Sequence, residues 1–384
     1  MTRKKSGARY KRHCMIVHAF YPVGETRVQR EAEALVKRGY EVDVLCLKRN
    51  GDRYLDYFNG VRIIRIPFTR YIIKSLMGQL LEYLVSFFIF MFQVSRLHMQ
   101  RRYKTVQVHN PPDFLIFTAW LPRMMGARLI LDLHDPMPEF YASKFDKAPE
   151  SLIVRYLSWQ ERVSCRFAHL VVAVSHQWKR IHVSRGVPKD KVFVVMNLAD
   201  ESIFYSTAQP DAPPMKNGKL RLIYHGTVVH RYGLDLVLDA LAGLPVNEVL
   251  LTIVGNGEDM KALIRKADKL NIKEKVEFSL NFKPAEELPE ILLNADVGIV
   301  PYRNDPYTDK IVPTKLLEYA ALEIPCIAAR TDAISHYFDE TMVEFFPPGN
   351  VEELGRCILK LYRNPDRLAE LRKGMLQFLS LIHI

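Results

Sequence analysis

Among 384 residues there are only five cysteines, and their spacing suits neither a zinc site nor a stapled secreted fold. Cys14, Cys46, Cys165, Cys326 and Cys357 are scattered, and four of them lie in or beside apolar runs. They are expected to be buried free thiols in a reducing compartment. No Gly-x-Gly-x-x-Gly follows a strand, which argues against a nicotinamide-dependent oxidoreductase. The first apolar run, 14–21, is short and lacks a small-residue cleavage site, so it reads as a buried strand and not as a secretory signal. A long uninterrupted apolar run is missing as well. The nearest approach, 75–98, is broken by Gly78, Gln79, Glu82, Ser86 and Gln93, whereas a membrane span wants about 20 mostly apolar residues. The leading expectation there is a helix buried between a sheet and its neighbours. A partly exposed helix touching a membrane comes second, and a true span last. Acid is scarce in the first half: residues 1–204 hold 33 Lys+Arg against 18 Asp+Glu, a net +15, while residues 205–384 hold 21 against 25, a net −4. The first thirteen residues contain six basic side chains and no acidic one. An anionic partner for the first half follows, and charge alone does not choose between nucleic acid and a membrane surface.

The chain is too long for one ordinary core and suits two domains. With 48% apolar and 25% charged residues it is globular. Short Val/Ile/Leu runs at 13–19, 42–47, 61–66, 105–109, 128–133, 170–175 and 191–196 alternate with amphipathic stretches at 26–37, 75–98, 114–125, 152–167 and 175–185. Such runs, bounded by turn residues and separated by helices, predict a parallel sheet covered on both faces. Residues 206–219, rich in Pro and small polar residues, read as a linker. The pattern then restarts, with strands at 221–225, 249–254, 276–278, 297–300, 325–328 and 342–345 and helices at 233–242, 258–270, 285–294, 314–322 and 351–362. The expected organisation is therefore α/β, with a doubly wound domain over 1–204, a linker over 205–219 and a second such domain over 220–384.

In open α/β sheets ligands bind beyond the carboxyl ends of strands, so the loops there are where chemistry is expected. In the first half these loops carry Gly24, the run His109-Asn-Pro-Pro-Asp113, and Asp132-Leu-His-Asp135 with His134 between two acids. Two histidine loops after neighbouring strands would line one cleft. In the second half the loops carry Gly226 and Thr227 followed by Arg231, then Gly255, Asn256 and Gly257, then Pro301. The glycines are expected to free backbone N–H groups for a nucleotide. Pro313 and Thr314 open a helix bearing Lys315 and Glu318. A helix start favours an anion such as phosphate, and Lys315 would add to that attraction. Glu318 supplies an acceptor for sugar or ribose hydroxyls. Together these loops point to a phosphate-bearing, hydroxyl-rich ligand at a cleft between two domains.

These residues resemble a known family. Gly226-Thr227 with Arg231-Tyr-Gly-Leu-Asp235, Val254-Gly-Asn-Gly-Glu258, Val300-Pro301 and Pro313-Thr-Lys-Leu-Leu-Glu-Tyr-Ala-Ala321 with Pro325-Cys-Ile-Ala328 look like the family-4-type glycosyltransferases of the two-Rossmann (GT-B) architecture. Arg30-Glu-Ala-Glu-Ala-Leu-Val-Lys-Arg-Gly-Tyr-Glu-Val42 and Asp132-Leu-His-Asp135 look like that family's acceptor-side domain. The resemblance implies two Rossmann-like domains facing a central cleft. It also implies a retaining hexosyltransferase that moves a sugar from a nucleotide-sugar donor to a lipid-linked or polysaccharide acceptor in cell-surface glycan synthesis. By the same resemblance Glu318 is the acid on the donor ribose, Gly226 the glycine of the first donor loop, and His134 the acceptor-side histidine near the donor sugar. His134 and Glu318, with Arg231 and Lys315, make the expected reacting set. Gly24, Gly226, Thr227, Gly255, Asn256, Gly257, Pro301 and Thr314, together with Arg231, Lys315 and Glu318, are expected to line the donor site.

No Asp-x-Asp occurs in the chain, so the metal–diphosphate anchor of the other common sugar-transferase fold is missing; neither metal nor cofactor is expected. The expected place is the cytoplasm, at the inner face of the membrane, with peripheral contact through the basic half and no nucleic acid, since most aromatics sit in apolar runs. The chain departs from the family pattern in three ways. Lys310 stands where a second acid is usual, with Asp305 and Asp309 nearby. Thr227 and Tyr232 stand where Arg and Lys are usual, leaving Arg231 as the replacement cation. Glu323 stands where glycine is usual, at a cost of about 1 kcal/mol if the position needs a positive φ. The run 377–384 stops short of the family's closing helix, which suggests truncation. The rival readings are a catalytically inactive partner subunit and an isomerase or phosphorylase on the same architecture.

Overall fold

The computed structural model describes residues 11–22, 24–68, 76–205, 215–280 and 283–382. The basic start and most of the expected linker lie outside the described residues. The chain divides into two compact units, Met1–Met196 and Asn197–Ile384. Leu198, Ile203 and Phe204 pack on the core of the second unit, so that unit gathers in the segment just before the expected linker.

The first unit is built on eight strands: β1 (Lys11–Phe20), β2 (Tyr40–Leu47), β3 (Leu55–Phe58), β4 (Val61–Arg65), β5 (Thr105–His109), β6 (Arg128–Leu133), β7 (Leu170–Ala173) and β8 (Val192–Val194). They lie side by side in the order β3-β4-β2-β1-β5-β6-β7-β8. All neighbours run parallel except β3, which pairs antiparallel with β4 at the edge. Residues 13–18 of β1 and 42–47 of β2 are buried without a break, which is why these strands read as mostly apolar runs; Asp43 within β2 is buried against Arg62 and Arg101. The edge strand β3 is mostly exposed and was not legible in the apolar pattern.

Helix Leu76–Arg101 departs from the leading expectation. It buries Glu82, Ser86, Phe90, Val94 and His98 and exposes Leu81, Leu84, Val85, Phe88 and Phe92. Both sets recur at helical spacing, so the helix lies on the sheet with its more polar face inward. Phe90 and Tyr83 meet His18 of β1, with ring centroids 6.2 and 4.9 Å away. Among the described residues no helix is long and apolar enough to cross a membrane.

The second unit holds β9 (Leu220–His225), β10 (Val249–Val254), β11 (Val276–Ser279), β12 (Val297–Val300), β13 (Cys326–Ala329) and β14 (Val343–Phe346). Their order is β11-β10-β9-β12-β13-β14, and every pair is parallel. Helices Leu234–Ala242, Met260–Lys269, Thr314–Ala321 and Val351–Arg363 each bury an apolar stripe against the sheet or one another. A last helix, Pro365–Ile382, packs on helix Thr314–Ala321 and stacks Phe378 on Phe338, centroids 4.2 Å apart. All five cysteines are buried and free, as expected.

Candidate functional site

Each sheet reverses its winding once in its middle, between β1 and β5 in the first unit and between β9 and β12 in the second. The strand ends beside such a switch point open the crevice in which ligands of this fold class bind. In the second unit β9 ends in His225 and runs into Gly226. β12 runs into Pro301 and Tyr302, and the loop beyond leads to helix Thr314–Ala321. That helix opens at Pro313 with no side-chain cap, and Thr314 stands exposed at its first position. Its C-terminus is a Schellman turn: the Ile324 N–H donates to Tyr319 O and the Glu323 N–H to Ala320 O, both at 2.9 Å. Glu323 closes it at φ +57°, so the position does need the left-handed conformation that glycine supplies more cheaply.

The turn geometry brings Glu318 against His225, with Oε2 2.5 Å from Nε2. His225 Nδ1 lies 3.1 Å from the Tyr319 hydroxyl, which donates to Ile223 O at 3.1 Å. Lys315, just under one turn earlier, points into a cage of tyrosines. Its ammonium donates to the hydroxyls of Tyr224 at 3.1 Å and Tyr302 at 3.2 Å. It also stands 4.4, 4.9 and 5.2 Å from the ring centroids of Tyr224, Tyr232 and Tyr302. A cation so placed is attracted by the ring faces. Lys315 is 6% exposed, and burial pushes its pKa down to about 7 against the opposing pull of Glu318. Tyr232, where a lysine was expected, stacks on Tyr302 at 4.5 Å and 12°. The Lys315 ammonium lies beside the Tyr232 ring, 4.9 Å from its centroid. Arg231 holds its guanidinium 5.5 Å from the Tyr232 ring and 5.6 Å from the Tyr307 ring.

The glycines of this rim do different work from that expected. The N–H of Gly226 donates to Val254 O, that of Gly255 to Ser279 O, and that of Gly257 to the Asn256 side chain. The first two of these amides tie neighbouring strand ends together, and the third closes its own loop. Gly226 has φ +110° and covers Lys315, whose Cε a Cβ there would meet at 3.5 Å. Gly255, at φ +149°, lets its loop pass so close to Gly226 that a Cβ would stand 2.0 Å from Gly226 O. Asn256 and Thr227 are exposed, Pro301 is buried, and Thr227 O accepts from the Tyr224 hydroxyl at 2.5 Å. Lys310 pairs with Asp309 at 2.6 Å and Asp332 at 3.1 Å; burial opposes its charge, but these partners hold its pKa above the ordinary value. Its charge is therefore compensated locally.

In the first unit the two histidine loops do meet. His109 Nδ1 lies 3.0 Å from His134 Nε2, and both reach Asp132, at 3.4 and 3.8 Å. Asp132 is fully buried and accepts from Arg27 at 3.1 Å and from Gln107 at 3.1 Å. Burial would lower the His134 pKa, but the Asp132 carboxylate more than offsets this and holds it above the usual value. His109, wholly buried, is lowered instead by desolvation. The His134 N–H donates to Asn110 Oδ1 at 2.6 Å, which fixes the loop. Ligand atoms of His109, Asp132 and His134 lie within 4.8 Å of one another, close enough to hold a metal ion. The Arg27 guanidinium on the shared carboxylate opposes a cation there. Gly24 sits in the exposed turn before helix Thr26–Lys37, at φ +94°.

Sequence reasoning missed His225, the tyrosine cage and Arg27. His225 had one signal, its place as the last strand residue before Gly226. The cage had none, because its members are separated by up to 91 residues along the chain.

Two family models match the chain: "Glycosyl transferase 4-like domain" over residues 24–197 and "Glycosyl transferases group 1" over 206–376. The putative colanic acid biosynthesis glycosyl transferase WcaI of Escherichia coli is 22% identical over 210 residues. That match spans 53% of this chain and about half, 51%, of that protein. Among solved structures, sucrose-phosphate synthase of Thermosynechococcus elongatus superposes with a TM-score of 0.72 at 17% identity, covering 96% of this chain and 94% of that one. HepE of Anabaena in complex with UDP-glucose gives 0.68 at 15% identity, over 96% and 94%. WaaG, a glycosyltransferase involved in lipopolysaccharide biosynthesis, gives 0.70 at 16%, over 96% and 95%.

Proposed function

This chain belongs to the family-4-type glycosyltransferases of the two-Rossmann (GT-B) architecture, and from that premise we propose the reaction and the roles that follow. The protein transfers a hexosyl unit from a nucleoside-diphosphate sugar to a lipid-linked or polysaccharide acceptor, with retention of configuration, in the synthesis of a cell-surface glycan. The observation that carries this reading is the helix Thr314–Ala321 at the switch point of the second sheet, with Lys315 and Glu318 on one face. Glu318 keeps Oε1 as an acceptor for ribose hydroxyls, while His225 holds Oε2. As the glycosidic bond stretches toward an oxocarbenium-like transition state, negative charge grows on the leaving diphosphate. Arg231, Lys315 and the uncapped helix start are fixed positive groups that stabilise it without reorganising. The chain's own cations thus do what a metal does elsewhere. His134, its pKa raised by Asp132 against the effect of burial, acts on the acceptor side near the sugar.

UDP-glucose bound by the HepE structure supports a nucleotide-sugar donor of this class. The role in cell-surface glycans draws on the WcaI and WaaG resemblances. The test is turnover of radiolabelled nucleotide sugars with membrane lipid or glycan acceptors. Glu318→Ala should lower it by at least a hundredfold, a loss of about 2.7 kcal/mol in transition-state binding. Full activity in that variant would remove the assignment. Donor binding with no hydrolysis or transfer under any acceptor would instead favour the inactive partner subunit.

A further inference from the structure

Helix Leu76–Arg101 buries Phe90 and Val94 but also exposes an apolar stripe that a normal surface helix would cover. Its outward stripe runs Leu81, Leu84, Val85, Phe88 and Phe92, with Phe88 53% and Phe92 66% exposed. Its inward stripe includes Glu82 at 8% and Ser86 at 0%. An ordinary amphipathic helix is turned the other way, with its apolar side on the core. The short helix Trp120–Met124 packs beside it and exposes Trp120 and Met124. On the other flank the Tyr54 hydroxyl donates to Gln93 at 3.2 Å, joining the helix to the edge of the sheet, where Leu55, Tyr57 and Phe58 are also exposed. Contiguous apolar surface of this kind marks an interaction site.

The charge around it identifies the partner. From residue 76 to 128 the chain has six Lys and Arg and two acids, and both acids, Glu82 and Asp113, are buried. Arg96 continues the exposed stripe toward the helix end, and Arg102 follows it; neither has an ion pair among the described residues. Apolar side chains on a helix lying flat, a tryptophan at the border and uncompensated arginines make the pattern that seats a helix in the headgroup layer of an anionic bilayer. A second copy docked face to face would bring the same positive charges together, which opposes association. The helix does not qualify as a span, so it would lie along the surface and not through it.

We propose that the outward face of helix 76–101, with Trp120 and Met124, is a membrane-docking surface that seats the first unit on an anionic lipid bilayer. This goes beyond the transfer reaction and does not depend on it.

The test is co-sedimentation of the full chain, without donor or acceptor, on extruded vesicles of phosphatidylethanolamine and phosphatidylglycerol and on vesicles of phosphatidylcholine alone. Binding to the phosphatidylglycerol vesicles should be at least tenfold tighter and should weaken with salt. Phe88→Gln/Phe92→Gln should reduce it at least tenfold at unchanged melting temperature, since both side chains already face solvent. Arg96→Gln/Arg102→Gln, which leaves the apolar stripe intact, should erase much of the preference for phosphatidylglycerol. Equal binding to both vesicle types, undiminished binding by the phenylalanine variant, or no vesicle binding would overturn the proposal. So would light scattering in which the phenylalanine variant turns a dimer into a monomer.

Discussion

Lys315 is the residue on which the chemistry turns. It is a lysine whose pKa burial lowers to about 7, held between three tyrosine faces beside the acid proposed to bind ribose. With its pKa lowered to about 7, the free protein holds it charged below pH 7 and neutral above. An anionic donor favours the charged form, so donor affinity should fall as pH rises from about 6 to 8. The diphosphate of a nucleotide sugar does not titrate in that range. Calorimetric titration at several pH values should show this fall in the wild type and its loss in Lys315→Met; a flat wild-type profile would contradict the role. Glu323 gives a simpler expectation. Its φ of +57° is costly for a side chain, so Glu323→Gly should raise stability by about 0.5–1 kcal/mol in thermal unfolding. Lys315 and Glu318 were legible because one short helix carries both. The same sequence could not reveal that Lys315 sits against the rings of Tyr224, Tyr232 and Tyr302, because that contact exists only where the loops and the helix meet in space.

At the scale of elements, the site rests on how closely three strand-end loops pack. Gly255 illustrates the constraint: a methyl group there would collide with the backbone of Gly226 in a conformation that side chains rarely adopt. Gly255→Ala should cost about 3 kcal/mol, roughly 6–12 °C in calorimetric melting temperature, through the backbone and not through lost ligand contacts. An unchanged melting temperature would show that the loop can move aside. The central parallel strands were legible because burial on both faces gives an unbroken apolar run, as at 297–300 and 326–329. Strand β3 and the helices Met137–Phe145, Asp332–Tyr337 and Pro365–Ile382 were not. Helix Met137–Phe145 opens on prolines, which read as a loop, and β3 is an exposed edge with no buried side to pattern it. Helix Leu76–Arg101 was found in place but turned over. Hydrophobicity fixes that it is a helix with an apolar side, and only the fold fixes which way that side faces.

For the whole molecule, the division of charge is the broadest feature that sequence and structure share. A first half at +15 suits the anionic surface proposed for it, and a second at −4 leaves attraction of an anionic donor to individual cations such as Lys315 and Arg231. The sequence showed this asymmetry but not that Glu82 and Asp113 are buried, which leaves the surface of residues 76–128 without an exposed acid. Function depends on the donor unit doing what its geometry suggests. The most direct check is isothermal titration of UDP, GDP and ADP sugars into the wild type and into Glu318→Ala. The account predicts saturable binding of one nucleotide class by the wild type and at least tenfold weaker binding by the variant, with the fold unchanged by circular dichroism. Equal affinity in both proteins, or no nucleotide sugar bound by the wild type, would contradict it.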